Sequence, residues 1–359
     1  MEGLADDGVP GGCDLLFRCD ASAAIGLGHL SRCASLARAA RRNGLRSAFL
    51  LNEADFDLPP WVLGGLSARV LPRVRRPGSE EDLAKTRAAA LRLGVRWAVV
   101  DTYAARKPFF DGLRTNAFRV CVIDDLADRD VSAATLVVNP TPGSEPWAGR
   151  RTANAETLAG SKYALLHPAF RREREHRGEL PALPPRRVLV SLGGSDPRSL
   201  SGPAVRAINR QLPEAIVSLV LGPAASSALV SGLEENSRIS VLRGLSPARM
   251  AEEMARSDLA ITSPSTTAWE LSCLGVPTLA VVIADNQRRN AAVLVTRELC
   301  EVVEGDSGER GISSGLKRML GSPFGEWAHR LDRWRSLCDG LGATRVARRL
   351  IDCDPTARV

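Results

Sequence analysis

FRCDASAAIGLGHLSRC, residues 17–33, is the stretch of this sequence that decides the fold. The apolar run 14–19 predicts a β-strand, and a loop containing Gly26 and Gly28 follows it. A helix is expected to begin near His29, because apolar residues then recur at helical spacing. A strand, glycine loop and helix in this order place free N–H groups and the positive end of a helix dipole at the carboxyl edge of a sheet. An anionic ligand is stabilised there.

Histidine is rare in this chain, which holds four, and His29 is expected at the mouth of that loop. An imidazole changes its charge near neutral pH, so His29 could exchange a proton with a bound substrate. The alternative is a helix-capping or core histidine behind a glycine turn of purely structural importance. Its position alone does not separate these two interpretations.

Length and composition predict two domains with well-filled cores, since the chain has 359 residues and 44% of them are hydrophobic. The formal net charge is +7, but arginine is spread along helical stretches, as is typical of solvated faces. Aromatic residues make up only 4%, which argues against base stacking and therefore against nucleic acid as a partner. A basic balance also suits a small polyanionic substrate, which is the interpretation that we favour.

Eight cysteines occur without a CxxC pair, which predicts a reducing compartment and no disulfide framework. Residues 1–12 are acidic and glycine-rich, unlike a signal peptide. No apolar run reaches the roughly 20 residues that a membrane span requires. We therefore expect a cytoplasmic protein without a membrane span.

Short apolar strands that alternate with helices predict a parallel sheet with helices on both faces. In the first half, strands are expected at 14–19, 47–51, 97–100, 119–123 and 135–138, with a helix capped by Ser79 before the third of them. Open sheets of this type bind ligands at the carboxyl ends of their strands. Polar residues at those ends, Arg18, Asp20 and Asp101, are therefore candidate substrate contacts.

The stretch 171–187, RREREHRGELPALPPRR, is charged, then proline-rich, and lacks apolar periodicity. It predicts an interdomain linker over 171–186, between a first domain over 13–170 and a second over 187–340. A C-terminal helix and tail are expected over 341–359. Strands are again expected after the linker, at 188–192, 215–221, 259–262 and 278–283. The helices beyond residue 300 are expected to complete the second domain, so that two α/β domains face each other across a cleft.

The second half offers two candidate anion-binding loops and one candidate ribose ligand. The first loop follows a strand and contains Gly193, Gly194, Ser195 and Asp196; its glycines would let a diphosphate approach the backbone. The second stands at a helix start and offers hydroxyls from Ser265, Thr266 and Thr267. Glu270 lies one helical turn after Thr266, where a carboxylate could hold two ribose hydroxyls. Alternatively, the hydroxyls only cap the helix and Glu270 is a surface charge.

Several kinds of site find no support in the sequence. No His or Cys cluster has metal-ligand spacing, and neither a phosphate-binding P-loop nor a GxSxG nucleophile motif occurs. The acidic run Asp124–Asp125–Leu126–Ala127–Asp128 is interpreted as a strand-end turn rather than a divalent-metal site. A histidine that activates water, without a metal or cofactor, is the simplest chemistry left.

Six segments together resemble the UDP-sugar hydrolases of pseudaminic acid biosynthesis. They are FRCDASAAIGLGHLSRC, VVDTY, VIDDLADR, LAGSKYALLHPAFR, VLVSLGGSD and TTAWELSCLGVPTLAVVIADNQ, and they extend over residues 15–300 in the family's order. The resemblance implies a GT-B fold, like that of the glycosyltransferase which makes lipid II, and a relation to spore-coat polysaccharide proteins. It also implies the substrate UDP-2,4-diacetamido-2,4,6-trideoxy-β-L-altropyranose, from which UDP is lost without a metal and with inversion.

The resemblance also implies roles for individual residues. The family's catalytic histidine falls on His29 and its active-site tyrosine on Tyr103. Its phosphate loop falls on Gly193, Gly194 and Ser195, its nucleotide-binding Ser/Thr-x-x-x-Glu on Thr266 and Glu270, and its last motif on Asp285, Asn286 and Gln287. Thr102 stands where the family has a histidine before that tyrosine. Pro264–Ser265–Thr266 stands in place of its glycine-rich turn.

Residues and resemblance together predict a hydrolase in which His29 activates water and the second domain holds UDP. A glycosyltransferase with the same donor site and a non-catalytic nucleotide-sugar-binding protein remain alternatives. The identity of the sugar and the oligomeric state stay open.

Overall fold

A computed structural model describes residues 12–22, 26–53, 59–66, 68–144, 146, 155–177, 182–194, 196–222, 225, 232–233 and 236–353. Two parallel sheets, each covered by helices on both faces, make up this part of the chain. The first contains β1 (Leu15–Cys19), β2 (Ser47–Asn52), β3 (Arg69–Val74), β4 (Trp97–Asp101), β5 (Arg119–Ile123), β6 (Leu136–Asn139) and β7 (Glu156–Ala159). The second contains β8 (Arg187–Ser191), β9 (Ile216–Leu221), β10 (Ile239–Arg243), β11 (Leu259–Thr262), β12 (Thr278–Val282) and β13 (Glu301–Glu304).

Helices connect these strands and pack on the sheets. They are α1 (Gly28–Arg41), α2 (Glu80–Leu93), α3 (Lys107–Leu113), α4 (Pro168–His176), α5 (Ser201–Gln211), α6 (Pro247–Ala255), α7 (Thr266–Leu274), α8 (Arg288–Thr296), α9 (Gly308–Leu320), α10 (Phe324–Leu337) and α11 (Gly342–Asp352). Local signals set their ends: the Ser79 side chain accepts a bond from the N–H of Asp82 at the start of α2, and Gly275, with φ of 68°, ends α7. None of the helices in the described ranges is both long and apolar enough to cross a bilayer.

The strand order places a ligand crevice in each sheet. The orders are β3-β2-β1-β4-β5-β6-β7 and β10-β9-β8-β11-β12-β13. In both sheets the order reverses beside the first strand, between β1 and β4 and between β8 and β11. Ligands of such sheets bind at that reversal, outside the carboxyl ends of the strands. The predicted architecture of two parallel α/β domains is confirmed.

The central strands are buried on both faces, which explains why the sequence predicted them. All five residues of β1 are buried, and apolar side chains from α1, including Leu30, Cys33 and Leu36, pack beneath it. By contrast, β3, β7, β10 and β13 are edge strands with partly exposed or charged positions, and their apolar runs were too short to be recognised. Edge strands lack the continuous apolar pattern of buried parallel ones.

The predicted linker begins with a helix, which corrects its expected start. Residues 171–176 belong to α4, which packs against α6 and α7 of the second sheet. One Arg174 nitrogen donates to the carbonyl oxygens of Cys273 at 2.6 Å, Arg335 at 2.9 Å and Cys338 at 3.0 Å. Ala169 and Phe170 at the start of α4 are buried in the core of the second half, whereas arginine bonds to carbonyl groups hold residues 171–176, which therefore show little apolar periodicity.

The last helix returns to the first sheet, which corrects the expectation that all helices after residue 300 complete the second domain. Ala343, Val346, Ala347 and Leu350 of α11 join the core between α1 and the first sheet. The indole nitrogen of Trp97 in β4 donates to the carbonyl oxygen of Leu350 at 2.9 Å. The chain therefore crosses between the two sheets twice.

Candidate active site

A cleft of about 460 Å³ lies between the carboxyl ends of the two sheets. Cavities of ~300–1,000 Å³ are typical of small-molecule sites. Its walls come from both halves of the chain, with His29, Arg32, Tyr103 and Asp125 on the first side. The second side contributes Gly193, Gly194, Ser263–Thr267, Trp269, Asn286, Gln287, Arg289 and Asn290.

Two glycine loops face each other across this cleft. A Cβ atom on Gly194 would lie 3.6 Å from the Cα of Gly26. Both Gly26 (φ 72°) and Gly193 (φ 87°) have left-handed backbone conformations that favour glycine. Behind them, a Cβ on Gly222 would lie only 2.3 Å from the carbonyl oxygen of Gly194, so β9 can pack there only because Gly222 has no side chain. Bare backbone is thus presented to the cleft from both sides, as a phosphate group requires for close approach.

His29 stands in the cleft wall and is held from behind by Asp101. Its Nδ1 lies 2.7 Å from Oδ1 of Asp101, at the end of β4. Burial opposes ionisation of that carboxyl group, but Arg32 and His29 outweigh it and hold the pKa of Asp101 well below its usual range. An ionised carboxylate can only accept, so Nδ1 of His29 must carry the proton. In the neutral ring, Nε2 therefore has the free lone pair that a general base needs.

Tyr103 packs against His29 and is tied to the same cluster. The two rings meet edge to face with centroids 4.4 Å apart. The Tyr103 hydroxyl donates to Oδ2 of Asp125 at 3.0 Å. Burial and the Asp125 charge both raise the pKa of Tyr103, so it stays a phenol at working pH. The cleft thus has a proton acceptor beside a neutral hydroxyl.

Arg32 and Asp125 are site residues that the sequence reasoning missed. Arg32 donates from Nε and Nη2 to Asp101, at 2.6 and 2.5 Å, and from Nη1 to Asp125 at 2.7 Å. The available signal was spacing: Arg32 follows His29 by three residues and therefore shares its face of α1. For Asp125 the acidic run was noticed, but it was interpreted only as a turn.

The start of α7 forms the opposite wall. Ser265 is the N-cap residue, and the first N–H groups of the helix, at Thr266 and Thr267, have no intrahelical acceptor. The hydroxyls of Ser263 and Ser265 lie 3.1 Å apart, and Asn290 donates to the carbonyl oxygen of Pro264 at 3.0 Å, which fixes the loop. Neutral donors and the positive end of a helix dipole thus lie across the cleft from His29, which is an arrangement that favours anions.

Glu270 lies one turn further along α7 and does not line the cavity. It is partly buried, and none of the described residues makes a hydrogen bond to its carboxyl group. Burial raises the pKa of Glu270 to about 8. A hydroxyl that donates to this carboxyl group would stabilise its ionised form.

Of the last predicted motif, Asp285–Asn286–Gln287, only two residues face the cleft. Asn286 and Gln287 line the cleft, and Oε1 of Gln287 accepts from the N–H of Ile283 at 3.0 Å. The side chain of Asp285 is 90% exposed and pairs with Arg288, so it does not face the cavity. Arg289 lines the cleft and donates across it to the carbonyl oxygen of Leu126 at 2.7 Å.

Three predicted substrate contacts are instead buried supports of the first domain. Arg18 is fully buried and pairs with Asp82 at 2.7 and 2.8 Å and with Asp20 at 2.6 Å. Asp20 also accepts from the Thr102 hydroxyl. Asp101 accepts hydrogen bonds from His29 and Arg32, as described above. The expectation of direct substrate contact is corrected for all three, because other side chains take up their hydrogen-bonding atoms and none of the three lines the cleft.

In the second domain, Asp196 is corrected in the same way. Its two oxygens accept from the N–H groups of Leu200 and Ser201 at the start of α5, at 3.0 and 2.9 Å, and it is buried. Ser195 lies outside the described residues. Asp124 accepts from the N–H of Ala127 at 3.2 Å, which is the predicted strand-end turn. Within the described ranges, no group of His, Cys, Asp and Glu side chains is arranged to hold a metal ion.

Comparison with known proteins gives two distant relatives. An uncharacterised protein of Methanocaldococcus jannaschii is 23% identical over 279 residues, which is 75% of this chain and 55% of that protein. The spore coat polysaccharide biosynthesis protein SpsG of Bacillus subtilis is 24% identical over 177 residues, or 48% of this chain and 51% of that protein. The chain thus spans about half the length of the curated relatives it matches. No family model matches the sequence.

Solved structures resemble nearly the whole chain. The UDP-GlcNAc 2-epimerase of Neisseria meningitidis, bound to UDP-GlcNAc, superposes with a TM-score of 0.65 at 11% identity, covering 94% of this chain and 100% of the epimerase. MurG of Acinetobacter baumannii superposes with a TM-score of 0.63 at 16% identity, covering 94% of this chain and 99% of MurG. At these identities the likeness establishes the fold, which is the two-domain GT-B fold.

Proposed function

We propose that this protein hydrolyses a UDP-sugar by attack of water at the anomeric carbon, with inversion and without a metal. One observation carries the proposal: an Asp101-bound imidazole stands across the cleft from a helix start with unpaired N–H groups. Such a pair supplies a proton acceptor on one side of a bound sugar and an anion site on the other.

The proposed step needs no group beyond those in the cleft. Neutral His29 accepts a proton from water through Nε2 as the water oxygen bonds to the anomeric carbon. The bond from that carbon to the diphosphate oxygen breaks, and UDP leaves with the electron pair. The N-terminus of α7 and the backbone at Gly193 and Gly194 stabilise the charge that grows on the diphosphate. A diphosphate is a good leaving group, so no acid is required on that side.

The second domain is proposed to hold the nucleotide. Ser265, Thr266 and Thr267 would donate to the phosphates in the cleft. Glu270, which lies outside the cavity lining, would accept bonds from the two ribose hydroxyls only where the nucleotide extends past that lining along α7. The SpsG relative and the epimerase bound to UDP-GlcNAc support a sugar-nucleotide ligand. Asn286 and Gln287 line the same cleft and would contribute further polar contacts.

We propose a diacetamido-trideoxy sugar as the substrate, with UDP-2,4-diacetamido-2,4,6-trideoxy-β-L-altropyranose as the first compound to test. The motif resemblance supports this choice. Apolar groups in the cleft, including Leu126, Pro140 and Leu165, also suit a sugar that has lost hydroxyls. Thr102 stands where the family has a histidine. It is buried, and its hydroxyl donates to Asp20, so it does not line the cleft.

The experiment is incubation with a panel of UDP-sugars and no acceptor, followed by proton NMR of the anomeric signal. The proposal expects UDP and a free sugar whose first-formed anomer is inverted. An intact donor that is consumed only when an acceptor is added would establish the second candidate, a glycosyltransferase, which would use the same donor site. Tight UDP binding without turnover of any donor would instead establish a binding protein.

A further inference from the structure

Arg32 links Asp101 and Asp125, the two carboxylates behind His29 and Tyr103, yet the proposed reaction gives Arg32 no step. Its guanidinium donates twice to Asp101 and once to Asp125. Asp101 holds the imidazole of His29 at 2.7 Å, and Asp125 accepts from the hydroxyl of Tyr103 at 3.0 Å. One planar group therefore fixes the two carboxylates that orient the rings of His29 and Tyr103.

We propose that Arg32 is the positioning residue of this site, which sets the tautomer of His29 and the place of Tyr103 through Asp101 and Asp125. This inference rests on the proposed function, because it assigns a role within the same reaction. The geometry requires arginine, since a guanidinium presents donors in a rigid fork that can serve two carboxylates at once. A lysine ammonium is a point charge on a flexible stem and cannot span both.

A purely structural role is the competing explanation, since Arg32 is only 8% exposed and neutralises two carboxylates. The two explanations differ in what a conservative substitution does. Arg32→Lys keeps the positive charge and most of the volume, so a structural role predicts little change in the reaction. Positioning predicts a loss in kcat, because the two-carboxylate bridge is broken while UDP still binds to the other domain.

The first experiment compares Arg32→Lys and Arg32→Met with Arg38→Lys as the matched control. Arg38 lies on the same helix and donates to the carbonyl oxygens of Trp61, Val62 and Gly64, away from the cleft. For Arg32→Lys we expect kcat to fall about 10- to 100-fold, as for loss of a group that orients a reacting one, with KM within about twofold. Arg38→Lys should leave both constants unchanged. Arg32→Met should lose at least as much kcat as Arg32→Lys, because methionine has no donor for either carboxylate.

The second experiment does not depend on turnover. Ring-nitrogen NMR of ¹⁵N-histidine protein, assigned with His29→Gln, should show the His29 proton on Nδ1 in the native protein and a mixture of tautomers in Arg32→Lys. An Arg32→Lys variant with native kcat and an unchanged Nδ1–H signal would overturn the inference. So would a lower melting temperature in Arg32→Lys with both kcat and the Nδ1–H signal at their native values. If the native protein turns over no UDP-sugar, the proposed function fails and the ring signal alone decides the role of Arg32.

Discussion

Replacing His29 with alanine tests the proposed chemistry most directly. The substitution removes the proton acceptor but leaves the anion site on α7, which lies in the other domain. A general base contributes typically 10²–10⁴-fold to a rate. At about 1.4 kcal/mol for each factor of ten, the barrier should rise by about 3–5 kcal/mol. We expect kcat to fall by that factor while the Kd of UDP changes less than about twofold.

The fold should survive this substitution, which makes the rate interpretable. Asp101 loses the bond from Nδ1 but keeps two bonds from Arg32, at 2.5 and 2.6 Å. Loss of one hydrogen bond to a charged group costs about 1.5–3 kcal/mol of stability. The melting temperature of His29→Ala should therefore drop without loss of cooperativity.

The assay measures UDP release by a coupled reaction and UDP binding by calorimetry, on native protein, His29→Ala and Asp101→Asn. Asp101→Asn keeps the imidazole but removes the carboxylate that requires the proton on Nδ1, so it should also lower kcat strongly. Near-native turnover in His29→Ala would refute the assignment of the base. A large loss of UDP affinity in the same variant would refute the proposal that the second domain binds UDP while the first supplies the base.

Three further perturbations follow from the described contacts. Glu270 has a pKa raised to about 8, and ribose hydroxyls would favour its ionised form, so calorimetry should show UDP affinity rising between pH 6 and 9 in native protein and flat in Glu270→Gln. The pKa of Glu270 is about 4.5 in the unfolded chain and about 8 in the folded protein, so the folded protein loses stability as the pH rises between these values. Denaturant titration should therefore find Glu270→Gln more stable than native protein at pH 8 but not at pH 4. Gly222→Ala places a Cβ 2.3 Å from the Gly194 carbonyl oxygen, so KM should rise and the melting temperature should fall. Gly232→Ala is the control: its Cβ would meet nothing within 4 Å, so this variant should lose only the stability that its backbone strain costs. Leu350→Ala should cost about 2–4 kcal/mol in chemical denaturation, with Leu91→Ala, at an exposed position, as a control within about 0.5 kcal/mol.

The parts of the fold that the sequence predicted are those in which one physical signal dominates. The strand β1 and the helix α1 show continuous apolar burial and then helical spacing, so they were recognised. α4 was missed because it has only two buried apolar residues, at its start, and arginine bonds to carbonyl groups hold the rest. A sequence does not show which carbonyl groups are near. The return of α11 to the first sheet was missed because an amphipathic pattern tells that a face is buried, but not against which domain.

The site shows the same division. His29 and Tyr103 could be predicted to share a cleft, since strand-end residues of a parallel sheet meet at one edge. The same rule failed for Arg18 and Asp196, because a charged residue at a strand end can instead turn inward to an ion pair or a helix start. Arg32 was missed because its importance depends on two carboxylates that are 69 and 93 residues away.

The return of α11 has a consequence for synthesis of the protein. The first domain contains β1–β7, but Val346 and Leu350 fill its core from the far end of the chain. While a ribosome is still producing the second domain, the matching side of α1 has nothing to cover it. The core of the first domain is therefore completed only after residues 342–352 have been synthesised, later than the whole second sheet.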